Sequence, residues 1–147
     1  MAKLKIAVLH TSFVFVSVEP MINDLLAELV PDAEINQFVD SDVLATVVRE
    51  NRISDASAQR MVHLAEAAEL AGADLIFSAC SSLGPALAIA AQHVGTPILK
   101  IDEALTARAP ADADHLGARA TVPPAPWDCR GPVHIGRECR WSHRVPS

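Results

Sequence analysis

At 147 residues, 50% of them hydrophobic and 20% charged, the chain is sized for a single domain with enough aliphatic side chains to bury a core. A net charge of −6, with no clustered basic surface in residues 1–110, excludes nucleic acid as a partner, because a phosphate backbone is gripped by cationic side chains that displace its counterions. No apolar run reaches the roughly 18–20 residues that span a bilayer, and three irregularly spaced cysteines make no disulfide framework, so the expectation is a cytoplasmic protein with no membrane partner.

Leu4 to Leu9 is a short apolar run of the kind that forms a parallel strand covered on both faces. It resembles a secretory core in length, but no small-residue cleavage site comes after His10-Thr11-Ser12. After a loop from His10 to Glu19, Pro20 suits a first helical position, and Ile22, Leu25, Leu26 and Leu29 recur at helical offsets until Pro31 stops the helix. Ile35 to Val39 reads as a second strand, and Asp40-Ser41-Asp42 as the cap of a helix over Val43 to Arg49. Ser54 caps the next helix, whose apolar stripe is Met61, Leu64, Ala65 and Ala68 and whose exit is Gly72. Leu75 to Phe77 is a strand, Leu83 to His93 a helix, and Ile98 to Ile101 a strand, with Asp102 as the cap of a further helix.

Strands alternating with helices predict a three-layer, flavodoxin-like α/β fold with a parallel sheet and right-handed crossovers. In such sheets ligands collect beyond the carboxyl ends of the strands. Here those ends carry His10-Thr11-Ser12, Asp40-Ser41, Ala79-Cys80-Ser81-Ser82 and Ile101-Asp102.

Cys80 lies just after a buried strand and immediately precedes a helix start. A helix N-terminus carries about half a positive charge and several unpaired N–H donors, which favour a thiolate over a thiol. The same donors, with the hydroxyls of Ser81 and Ser82, suit a small carboxylate held beside the sulfur without metal or cofactor. Against this, a lone cysteine after a strand is most often a small buried hydrophobe, and serines there are often caps alone. His10 lies on the same rim and suits substrate binding or proton transfer. Thr11 and Ser12 suit anion contacts, although strand-end hydroxyls are also common turn formers. His63 and His93 read as surface residues within helices, and Asp40 is the aspartate expected to face the site rather than only cap a helix.

Cys129 and Cys139, with His134 and His143, lack a zinc-type ligand pair. The turn after the first strand lacks the glycine fingerprint of a dinucleotide site. No metal and no cofactor is therefore expected.

Three segments, Ile6-Ala7-Val8-Leu9-His10-Thr11, Ser78-Ala79-Cys80-Ser81-Ser82-Leu83-Gly84-Pro85 and Pro97-Ile98-Leu99-Lys100-Ile101-Asp102-Glu103-Ala104, together resemble the aspartate/glutamate/hydantoin racemase family. The resemblance covers residues 3 to about 107. It implies a fold of two similar α/β halves facing across a cleft, of which this chain carries the first. It also implies cofactor-independent chemistry: one cysteine removes the proton α to a carboxylate and a second, from the other half, returns it to the opposite face. Cys80 matches the first cysteine, and Ser81, Ser82 and Thr11 match carboxylate contacts. Maleate-isomerase-like or arylmalonate-decarboxylase-like chemistry on the same fold is the alternative, and a non-catalytic module binding small carboxylates is a third reading.

Composition changes after residue 108: six of the ten prolines, both tryptophans and two of the three cysteines fall in the last 39 residues. The expectation is a racemase-like domain over 1–108 and an irregular proline-rich tail over 109–147. Gly117-Ala118-Arg119 runs to Ala120-Thr121-Val122-Pro123 without the strand that the resemblance leads one to expect. If Pro124 to Asp128 were encoded CCA GCA CCC TGG GAC, a two-base shift would read Ser-Thr-Leu-Gly, a turn frequent at this place in the family; the second half would then be truncated by a frameshift. An unfinished sheet edge predicts self-association into a homo-oligomer.

Overall fold

The computed structural model describes residues 3–18 and 20–102, together with two short strands at 116–118 and 139–141. Its centre is a four-stranded, all-parallel sheet of β1 (Lys5–His10), β2 (Glu34–Val39), β3 (Leu75–Ser78) and β4 (Ile98–Lys100), in the order β2-β1-β3-β4. The helices between them are α1 (Met21–Leu29), α2 (Val43–Glu50), α3 (Asp55–Leu70) and α4 (Gly84–Ala90). This is the α/β architecture expected, with the strand order of a flavodoxin-like sheet.

Ile6 to Leu9 are buried because β1 is the one strand hydrogen-bonded on one side to β2 and on the other to β3 while helices cover both faces. Successive side chains point to opposite faces. Ala7, Leu9 and Ile76 pack with Val43 and Val47 of α2, Met61 and Ala65 of α3, and Leu87 of α4. Ile6, Val8 and Ala79 pack instead with Ile22 and Leu26 of α1. One helix on one face and three on the other is what right-handed crossovers require of this strand order. Ala65 and Ala68 of α3 and Ala86 and Ala90 of α4 are all fully buried, and their small side chains let the two helices lie close together.

Local signals set the boundaries. The Ser54 hydroxyl accepts from the Ser57 N–H, which fixes the start of α3. Gly72, at φ 81°, turns the chain out of α3 through the left-handed region, and its N–H returns to the Glu69 carbonyl at 2.8 Å. Glu69 also pins the approach to β4: its Oε1 accepts from the N–H groups of Gly95 (2.7 Å) and Thr96 (2.8 Å) and from the Thr96 hydroxyl (3.0 Å). These donors, the Thr96 N–H foremost, hold the Glu69 carboxyl below the usual carboxylate range.

Several expectations are corrected. The loop after β1 contains a π-helical turn, Val14–Val18, at whose start the Phe13 carbonyl accepts from the Ser17 N–H at 3.0 Å. The helix expected over Leu83 to His93 is a 3₁₀ turn, Ser81–Leu83, running into α4, which ends at Ala90. His93 thus lies in the turn beyond α4, exposed, while His63 is exposed on α3. The last strand of the sheet stops at Lys100. In the tail, where no strand was expected, β5 (Leu116–Ala118) pairs antiparallel with β6 (Cys139–Trp141). The expected helix after Asp102, the boundary near 108 and Cys129, His134 and His143 lie outside the described residues. Among the described residues, no helix is long and apolar enough to cross a membrane.

Candidate active site

Strand register decides which rim residues meet. Leu9 pairs with both Phe38 and Ser78, and Ser78 pairs with Lys100. Two residues further along each strand stand Asp40, Thr11, Cys80 and Asp102, so these four form one row across the carboxyl end of the sheet, at the level where the chains leave it. Leu9, Phe38 and Cys80 all belong to the cluster facing α2, α3 and α4, and the row continues that side.

Cys80 is the N-cap of the 3₁₀ turn, with extended backbone (φ −121°, ψ 114°) and no side-chain cap on the turn. It is 8% exposed, and it packs into the cluster that contains Leu83 and Leu87. The Ser78 hydroxyl steadies the bend, accepting from the Cys80 N–H and donating to the Cys80 carbonyl, both at 3.5 Å. Ser81 is exposed and Ser82 half-buried, while Thr11 is buried and Ser12 half-buried. Among the described residues, the hydroxyls of Thr11, Ser12, Ser81 and Ser82 engage in no hydrogen bond. The Cys80 side chain thus belongs to the buried apolar cluster, while its backbone opens the 3₁₀ turn two residues past the Leu9–Ser78 pair, at the level of Thr11.

His10 is not part of this grouping. It shares the side of Ile6 and Val8, facing α1, and its Nε2 meets Gln37 Oε1 at 2.5 Å while the Gln37 amide donates to Asn23 Oδ1 of α1 at 2.8 Å. Burial pushes the His10 imidazole below its ordinary value, and the Gln37 hydrogen bond offsets only part of that shift. A neutral histidine tied to an amide on the far face of the sheet does not reach the thiol.

Asp40 stands in the row but its carboxylate is already engaged. Oδ1 accepts from the N–H groups of Asp42 and Val43, both at 3.1 Å, and so caps α2 in place of Asp42. Arg60 of α3 donates to Oδ2 through Nε at 2.7 Å and to Oδ1 through a terminal nitrogen, and its other nitrogen reaches Asp42 Oδ2 at 3.2 Å. Burial pulls the Asp40 carboxyl upward, yet the Arg60 hydrogen bonds and charge, with the two backbone donors, outweigh it and leave the group below the usual range. The two carboxylates in turn hold the Arg60 proton more firmly, Asp40 through its hydrogen bonds above all.

Arg60 is the residue that reading the chain overlooks. The signal was present: helices of a parallel sheet run against their strands, so the first turns of α3 come to the same rim as Asp40. Among the described residues, no group of three or more histidine, cysteine, aspartate or glutamate side chains is placed to hold a metal ion. Comparison with protein-family models, curated proteins and solved structures finds no match for the chain.

Proposed function

We propose that this chain is a cofactor-independent racemase-type enzyme acting on an amino acid or related small carboxylate, with Cys80 moving the proton at the α carbon. What supports it is the position of Cys80 at the opening of a turn without a side-chain cap, level with Thr11 by strand register and next in sequence to Ser81 and Ser82, whose hydroxyls are unengaged among the described residues. The obstacle to such chemistry is the weak acidity of a carbon next to a carboxylate. Fixed N–H and O–H donors that meet the developing enediolate lower that barrier, and a base within reach of the proton completes the requirement.

The Cys80 sulfur takes the α proton and becomes S–H while the electron pair moves into the donor-held carboxylate. Once the Cys80 S–H has exchanged with solvent, return of a proton from it restores the substrate with its α hydrogen exchanged, and protonation of the opposite face by water or a second acid inverts it. The thiol must be reduced for either step, which fits a cytoplasmic setting.

Incubation with free amino acids in deuterium oxide should place solvent deuterium at the α carbon of recovered substrate. Cys80→Ala should lower that exchange by at least about 10²-fold, the scale of losing a positioned acid–base group. Exchange that survives Cys80→Ala, or release of carbon dioxide in place of exchange, would refute the reading.

A further inference from the structure

The outer flank of α1 carries an apolar stripe that the sheet does not use. Met21, Leu25 and Leu29 recur every four residues and are 54%, 47% and 72% exposed, while Ile22 and Leu26 on the neighbouring flank pack onto the sheet. The π-helical turn packs on α1 and adds Val14 (44% exposed) and Val18 (71%), with Phe13 (56%) just before it. At about 150–200 Å² for a fully exposed large apolar residue, these fractions leave roughly 600 Å² of apolar surface, the upper end of what a monomer carries as its largest patch.

We infer that this flank is the contact between two copies of the chain, with the α1 helices antiparallel about a twofold axis at Leu25. Two such patches would bury roughly 1,200 Å², past the ~1,000 Å² that a specific interface needs. The spacing suits self-pairing: with Leu25 on the axis, Met21 of each copy meets Leu29 of the other, so one stripe is its own complement. Asp24 and Glu28 lie beside the stripe and α1 contains no basic residue, so an antiparallel pair brings like charges near each other and no attractive ion pair. The association is therefore apolar in origin and strengthens as salt screens the acids. It is distinct from edge-to-edge pairing of the sheet, and it does not depend on the racemase reading.

Sedimentation velocity of the full chain over a dilution series tests it. The expected result is a dimer that dissociates on dilution and tightens between about 0.05 and 0.5 M salt. Leu25→Glu, which sets two carboxylates against each other on the axis, should weaken it at least about 100-fold with an unchanged circular-dichroism spectrum. Leu25→Cys should give a covalent dimer on mild oxidation, whereas Glu34→Cys on the edge strand should not. A monomer at all concentrations, a dimer that dissolves in salt, or a dimer indifferent to Leu25→Glu would each overturn the inference.

Discussion

Replacing Asp40 by alanine removes two things at once, the cap of α2 and the carboxylate that ties α2 to α3 through Arg60. The cap consists of two backbone N–H donors on Oδ1 at 3.1 Å, and losing such a cap costs about 1 kcal/mol. The side chains of Asp40 and Arg60 are 18% and 35% exposed, so solvent screens the pair in part and it contributes about 0.5–1 kcal/mol. Asp40→Ala should therefore cost roughly 2 kcal/mol, which for a unit of this size lowers Tm on the order of 10 °C. Asp40→Asn keeps a capping oxygen and should cost about half as much. Urea unfolding of Asp40→Ala, Arg60→Ala and the double variant measures the pair, and a coupling of about 0.5–1 kcal/mol is expected. Acid supplies the independent check. Because the folded carboxyl lies below its unfolded value, the contribution is complete above about pH 4 and is lost as pH falls through the lower folded value. Asp40→Asn should remove that part of the acid sensitivity. Additive single costs, with coupling within about 0.3 kcal/mol of zero, would refute the argument.

The buried His10 should make stability depend on pH in a higher window: its folded value lies below about 6.5, so stability is full above that pH and declines as pH falls towards the folded value. His10→Gln should flatten this part of a stability–pH curve measured by thermal unfolding. Gly72→Ala forces a side chain into φ 81° and should cost about 1 kcal/mol or slightly more, read as a lower urea midpoint with unchanged slope. Met61→Ala empties a wholly buried site between α3 and the sheet and should cost about 2–5 kcal/mol by the same assay.

The layers of the fold were legible because each strand run was short and apolar and each helix carried its own boundary signal. Ser54 and Gly72 mark α3 in the sequence as they do in the structure, since an N-cap hydroxyl and a left-handed exit are local requirements. The misreadings arose where local pattern and tertiary context compete. Val14–Val18, rich in β-branched side chains, coils into a π-helical turn, and the Phe13 carbonyl that opens it also collects the Val16 and Ser17 N–H groups and the Ser17 hydroxyl. The apolar run after Cys80 does not sustain α-helix at either end: its first turn tightens to 3₁₀, and beyond Ala90 the Gln92 and His93 N–H groups bond three residues back, to Ile89 and Ala90.

For the site, the sequence supplied the rim but not the faces. Level along the sheet is set by where each strand ends, and by that measure His10 and Cys80 are neighbours. Which side of the sheet a residue takes depends on parity counted from a paired position, and pairing is a property of the folded chain. Leu9 opposite Ser78 puts Thr11 and Cys80 on one face and sends His10 to the other, where burial keeps it neutral against Gln37. The same count brings Asp40 into the row with the thiol, yet Arg60 from α3 has claimed its carboxylate. On the proposed reading, a carboxylate arriving at this row would find donors in Thr11, Ser81, Ser82 and the opening of the turn, with Asp40 already neutralised by Arg60. Asp102, whose Oδ1 is buried without a hydrogen-bond partner among the described residues, is the other acid of the row.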